Sequence, residues 1–201
     1  MTKLYGVDVA KQRADDLDKL SIEAVGENEG CSVLELGCAK GGQTRRLIET
    51  GAKVTAVDIV DYSDEFKFLS NVTFIHEDIR KLEEVVAGQT FDFCVFQRTI
   101  HYLKYSEALD LLTFLKKIVS KKLFISVTGI DSDIGEQYTA KELLLAERFS
   151  TLEKEAQETF SITEPVCLYT PVEFIELLTE AGFEIEVCWV SAFGNIKAIC
   201  K

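Results

Sequence analysis

The chain has 201 residues, 47% of them hydrophobic, which is enough for one well-packed α/β domain and short for two. Its 22 basic and 34 acidic residues give a formal net charge of −12, which repels polyanions at long range, so nucleic acid is not expected as a substrate. No apolar run approaches the ~18 residues of a membrane span, and Met1-Thr2-Lys3-Leu4-Tyr5 lacks the apolar core of a secretory signal, so a cytosolic protein is expected.

In chain order, Asp8 to Val25 places Ala10, Ala14, Leu17 and Leu20 at three- and four-residue spacings, predicting an amphipathic helix or two short ones, with Asp8 as a cap. Glu27-Asn28-Glu29-Gly30 breaks it. Val33-Leu34-Glu35-Leu36 is a short apolar strand carrying one acid, and it turns through Gly37-Cys38-Ala39-Lys40-Gly41-Gly42. Small residues there let backbone N–H groups approach a ligand, and the helix start that follows adds partial positive charge. Gln43 to Glu49 continues that helix until Gly51 stops it. The next strand, Lys53 to Val57, ends at Asp58, about 20 residues past the loop, where an acid can take both hydroxyls of a ribose.

Tyr62 to Leu69 is a short helix candidate with Phe66 and Leu69 inward. A third strand, Val72 to Ile75, ends in His76-Glu77-Asp78-Ile79, and Lys81 to Ala87 is a helical turn. A fourth strand, Phe91 to Phe96, ends in Gln97-Arg98-Thr99. Ser106 to Val119 carries a broad apolar face, and Lys122 to Val127 is a fifth strand. Lys116, Lys117, Lys121 and Lys122 form the densest basic cluster; two of them suit a helix C-terminus. Ile130 to Tyr169 is longer than a plain strand-to-helix link and holds two helix candidates, Thr139–Phe149 and Leu152–Phe160. Such an insertion serves as a lid over the site or as a subunit interface. Thr170-Pro171-Val172-Glu173 opens a helix with a capping box. Glu184–Val190 and Asn195–Cys200 are joined too tightly for a parallel crossover, so they form an antiparallel hairpin. The six cysteines include no C-x-x-C pair, and buried thiols, neither a zinc site nor a disulfide framework, are expected. Cys38 stands apart, since a thiol near a helix start can have a lowered pKa.

Four of these segments together resemble the class I S-adenosylmethionine-dependent methyltransferases. Glu35-Leu36-Gly37-Cys38-Ala39-Lys40-Gly41 is similar to their first motif, with Ala39 where glycine is more usual. Asp58, followed by Ile59, falls on their ribose-binding acid, Asp78 and Ile79 on the adenine-contacting pair, and Gln97 and Arg98 on the segment facing the methionine part. The resemblance runs from about Ser32 to Lys201. It implies an α/β fold: a doubly wound, seven-stranded, mostly parallel sheet closed by a C-terminal antiparallel hairpin. It also implies S-adenosylmethionine as cofactor, S-adenosylhomocysteine as product, a small-molecule acceptor, and a single domain acting as monomer or homodimer. The donor carries an activated methyl group, so the protein's task is to align the reactants and exclude water, which can contribute roughly 7–11 kcal/mol.

Around that frame, His101 follows the fourth strand near the methionine end and is a candidate base, with helix-start packing as the competing role. Tyr5 and Arg13 precede the first strand, where the family often closes the site; each is a candidate acceptor contact or an ordinary surface residue. Tyr102, Tyr105, Tyr138 and Tyr169 are candidates for an aromatic acceptor pocket. Two rivals stand beside methyl transfer. Gly37-x-Ala39-x-x-Gly42 with Asp58 downstream also fits a degenerate loop of a nicotinamide-dependent oxidoreductase. The chain can also bind the cofactor as a regulatory protein without transfer.

Overall fold

The computed structural model describes residues 3–8 and 10–201; Met1, Thr2 and Val9, the last within the first expected helix, lie outside the described residues. The elements are α1 (Asp16–Gly26), β1 (Ser32–Leu36), α2 (Gly42–Glu49), β2 (Lys53–Asp58), α3 (Ser63–Phe66), β3 (Val72–His76), α4 (Leu82–Val85), β4 (Phe91–Gln97), α5 (Tyr105–Ile118), β5 (Val119–Thr128), α6 (Asp133–Glu136), α7 (Lys154–Phe160), α8 (Pro171–Glu180), β6 (Ile185–Val190) and β7 (Asn195–Cys200). The strands form one sheet in the order β3-β2-β1-β4-β5-β7-β6. Pairings from β3 to β5 are parallel, while β7 is antiparallel to both β5 and β6. This is the expected seven-stranded architecture with its terminal hairpin.

Both sheet faces are covered, so the central strands carry apolar residues on both faces. Side chains alternate across the sheet: Leu34, Leu36 and Phe96 pack with α5 and α8, while Val33, Phe93 and Val95 pack with α1 and α2. Strand order reverses between β1 and β4, and the crevice outside their carboxyl ends is where such sheets bind ligands. All six cysteines are free, and all but the partly exposed Cys188 are buried. Among the described residues, no helix is long and apolar enough to cross a membrane.

Two expected helices change. The first begins at Asp16, not Asp8. Asp15 and Asp18 form a reciprocal capping box, each side chain accepting the other's backbone N–H at 2.9 Å, whereas Asp8 closes a turn by accepting from Lys11 N at 3.1 Å and accepts from Lys40 N at 3.4 Å. Upstream, the chain is drawn out as a strap along the insertion: Gly6 N donates to Ser161 O at 2.8 Å and Thr163 N to Leu4 O at 3.0 Å. Thr139–Phe149 is not a helix; it holds turns and a single 3₁₀ turn at Leu145–Glu147. The carbonyl of Leu143, which a helix would offer to Glu147 N, instead accepts from the Arg148 guanidinium at 3.2 and 3.0 Å. Arg148 also reaches Leu168 O at 3.1 Å and Glu173 at 2.8 Å, so its tertiary contacts override local helix propensity. The insertion packs around a small core of its own, including Tyr138, Leu152, Ile162 and Val166.

Candidate active site

The loops leaving β1, β2 and β4 border a cavity of about 860 Å³, near the top of the ~300–1,000 Å³ range of small-molecule sites. Gly37 has φ +71°, and a Cβ there would sit 2.0 Å from Thr99 Oγ1, so only glycine lets the two strand ends come this close. Ala39 holds the left-handed conformation (φ +47°) where the family motif usually has glycine. That costs about 1 kcal/mol, offset by Ala39 N donating to Asp58 Oδ2 at 2.8 Å. Asp58 Oδ1 accepts from Val60 N at 2.9 Å, so the carboxylate is braced on both sides, and each oxygen keeps a lone pair for a ligand.

Three buried carboxylates face this end of the cavity: Asp18, Glu35 and Asp58, none salt-bridged to a described cation. Burial pushes Glu35 up to about 8 even though Thr44 Oγ1 donates to it at 2.6 Å. Burial also raises Asp58, against the two backbone N–H bonds, and Asp18, against the Asp15 N–H. Desolvated acids without counter-charges suit a cationic ligand. At the far side of β2, Asp78 and the buried Ile79 line the cavity beside Ile59. Burial alone would raise Asp78, but the Arg80 guanidinium, at 2.6 and 3.0 Å, holds it below the usual range.

Most expected cofactor positions therefore line the cavity: Glu35, Gly37, Cys38, Ala39, Asp58, Ile59, Asp78, Ile79, Gln97 and Arg98. Gly41 does not. It turns the chain into α2 with its Cα packed toward Phe66, whose ring lies 2.9 Å from where a Cβ would be. Cys38 reverses its expectation, because burial first, then Glu35 and Asp58, push the thiol up and outweigh the helix start.

The other arm of the cavity is aromatic. Tyr5 from the strap and Tyr102 meet edge to face at 5.2 Å, and the Tyr102 ring lies 4.3 Å from His101. His101 lines the cavity at 3% exposure, with Nδ1 3.4 Å from Thr128 Oγ1. Burial, with a smaller push from Arg98, lowers its pKa to about 3, so the ring is neutral near pH 7 and a weak proton acceptor. Three expected pocket tyrosines lie elsewhere. Tyr138 is buried in the insertion, donating to Val166 O at 2.6 Å and near Arg148 O at 3.1 Å. Tyr105 bonds Glu180, and Tyr169 is fully buried beside Phe174. Arg13 is exposed outside the cavity, its guanidinium 5.5 Å from the ring centre of Phe193. Side chains absent from the expected set complete the lining: Asp18, which accepts from the Gln97 amide, and Phe149, Phe160, Ile162 and Phe193. The strap and the insertion thus supply walls of the same cavity.

Residues 33–122, from β1 into β5, match the family model described as a methyltransferase domain. With the sheet order and the terminal hairpin, this match supports a place among the class I S-adenosylmethionine-dependent methyltransferases, whose fold the chain has. The matched domain supports S-adenosylmethionine-dependent methyl transfer as the activity and does not favour the nicotinamide reading. Among curated proteins, no sequence matches. Solved structures share the fold at low identity. The 1,6-didemethyltoxoflavin-N1-methyltransferase of Burkholderia thailandensis, solved with 1,6-didemethyltoxoflavin and S-adenosylhomocysteine, aligns with TM-score 0.68 and 17% identity over 96% of this chain and 78% of its own. The CcbJ methyltransferase of Streptomyces caelestis gives 0.69 and 15% over 99% and 98%. The PH0226 protein of Pyrococcus horikoshii gives 0.70 and 21% over 97% and 92%.

Proposed function

We propose that residues 1–201 act as one cytoplasmic domain that transfers the methyl group of S-adenosylmethionine to a small organic acceptor. The observation that carries this is the single cavity joining the acidic wall to an aromatic arm roofed by the strap and the insertion. In this scheme Asp58 takes the ribose hydroxyls, Asp78 and Ile79 border the adenine, and Asp18 and Glu35 face the cationic methionine end. The acceptor lies among Tyr5, Tyr102, Phe149 and Phe160. Its nucleophilic atom attacks the methyl carbon as the carbon–sulfur bond breaks and the electron pair returns to sulfur. His101, neutral and buried, positions the acceptor by hydrogen bonding and does not store its proton. The 130–169 segment works as a lid, tied to the strap by Gly6 and Leu4. A small acceptor is supported by the enclosed aromatic arm, the net charge of −12, and the Burkholderia structure with its small heterocycle. Six free cysteines suit a reducing compartment. The test is methylation with radiolabelled S-adenosylmethionine of small-molecule and macromolecular fractions of a cell extract. Label is expected only in the small-molecule fraction; label confined to nucleic acid or protein refutes the proposal.

A further inference from the structure

Three cationic side chains line the cavity, and two of them are spoken for. Lys3 pairs with Glu164 at 2.9 Å, and Arg80 pairs with Asp78 at 2.6 Å and lies 3.7 Å from Glu107. Arg98 is different. Its guanidinium has no described carboxylate within salt-bridge distance in a chain with 34 acidic residues, and its Nε is buried with no hydrogen-bond partner. A buried, unsatisfied guanidinium N–H is costly to keep and calls for an acceptor oxygen from elsewhere. The backbone also holds Arg98 deliberately: φ is +47°, an unusual conformation for a non-glycine residue, secured by Arg98 N donating to Ser126 O at 2.9 Å and Ser126 Oγ at 3.1 Å.

The side of the cavity it serves can be read from its neighbours. Gln97, one residue earlier, reaches across to Asp18 on α1, at the acidic wall. Arg98 instead lies near His101 and Tyr102, whose titration its charge influences, in the aromatic arm. The cavity is therefore split by charge, with uncompensated carboxylates at one end and an uncompensated guanidinium among aromatic rings at the other.

We propose that the acceptor is a flat organic acid, anionic at neutral pH, whose carboxylate or equally acidic oxygen is bound by Arg98 beside the Tyr5–Tyr102 pair. This rests on the methyl-transfer function proposed above and names the substrate class of that site. Arginine suits the task because its planar fork can give two parallel hydrogen bonds to a carboxylate. It makes Arg98 a specificity-determining residue; uncharged isosteres of the acceptor leave its N–H groups unmet.

The test uses the full chain saturated with S-adenosylhomocysteine. Calorimetry compares matched acid and amide pairs: benzoate with benzamide, salicylate with salicylamide, and indole-3-acetate with indole-3-acetamide. At least one acid is expected to bind about tenfold or more tighter than its amide, as one charge-assisted hydrogen bond allows. In Arg98→Gln that preference should vanish while affinity for S-adenosylhomocysteine stays within about threefold; Arg98→Lys should keep part of it. The acid–amide comparison in the wild type needs no variant, so it stands even if a substitution impairs folding. No preference for any acid, binding by none included, overturns the proposal, as does a preference that survives Arg98→Gln. Loss of S-adenosylhomocysteine affinity in Arg98→Gln would assign Arg98 to the cofactor's carboxylate instead. A wild-type chain that fails to bind S-adenosylhomocysteine at all would be a failure of the underlying function, visible before any acid is added.

Discussion

Asp58→Ala isolates the cofactor claim. The carboxylate is 8% exposed and fixed by Ala39 N at 2.8 Å and Val60 N at 2.9 Å, with one lone pair of each oxygen left facing the cavity. Removing it deletes the proposed ribose acceptor and also frees the Ala39 and Val60 N–H groups of the β1 and β2 loops. A hydrogen bond to a charged group is worth about 1.5–3 kcal/mol, so affinity for S-adenosylmethionine and S-adenosylhomocysteine should fall about 10- to 150-fold. Part of that loss is positional, because the Asp58 carboxylate braces the left-handed Ala39 through its N–H. Asp58→Asn separates the two contributions. An amide shaped like the carboxylate meets both backbone donors with only one oxygen, so it should fall between wild type and Asp58→Ala. Calorimetric titration of all three chains measures this, with a thermal melt of each apoprotein to register loop loosening. If Asp58→Ala binds S-adenosylhomocysteine within about threefold of wild type, Asp58 does not hold the ribose and the proposed cofactor pose is wrong.

Burial raises Glu35 in the folded chain from 4.5 to about 8, so the folded state binds more protons than the unfolded one between those values; apoprotein stability should decline as pH rises from about 4.5 through 8, and Glu35→Gln should flatten that slope in denaturant titrations. A cationic cofactor beside Glu35 should expel that proton at pH 7, seen as a binding enthalpy that depends on the buffer's ionisation enthalpy in wild type but not in Glu35→Gln. Lys197, 3% exposed, joins β7 to α1 through Asp15 at 2.7 Å and Asp16; because both acids are partly exposed, Lys197→Met should cost only about 1–2 kcal/mol, a fall of several degrees in melting temperature. Tyr138→Phe should destabilise the chain by about 1 kcal/mol, by removing the hydroxyl's bond to the Val166 carbonyl, which keeps only Ser150 N at 3.2 Å, without changing cofactor affinity; a lost affinity would return Tyr138 to the site. With His101 lowered to about 3, the methylation rate should show no imidazole titration between about pH 5 and 8, and a rate that drops through a pKa near 6.5 would restore His101 as a base.

The parts of the fold that the sequence makes legible are those written locally. Each strand of the sheet is a short apolar run ended by a turn residue, and Thr170-Pro171-Val172-Glu173 forms the capping box its spacing requires. What could not be read depends on contacts distant in sequence. Asp8 and Asp15 are both good caps, and the choice between them is made by Asp18, whose other oxygen meets Gln97, and by the strap's pairing with residues 161–163. Leu143 and Leu144 suggest a helix face, yet Arg148 takes the needed carbonyl and leaves Leu144 75% exposed. At the site, residues at strand ends were predictable because the switch point gathers them, as Glu35, Asp58 and Gln97 show. Residues from the insertion were not: nothing local distinguishes Phe149 and Phe160, which reach the cavity, from Tyr138, which spends its hydroxyl on the insertion's own backbone. Cys38 was misjudged for the same reason, since burial and the neighbouring carboxylates are tertiary facts. Asp18 carries a local signal, an acid on the apolar face of a helix three residues after its cap.

Parallel calorimetric titrations of the purified chain with S-adenosylhomocysteine and with NADH test the central claim most directly. One S-adenosylhomocysteine should bind per chain, with NADH giving no heat of binding at the same concentrations. Saturable NADH binding without S-adenosylhomocysteine binding would contradict the assignment of this cavity to a methyl donor.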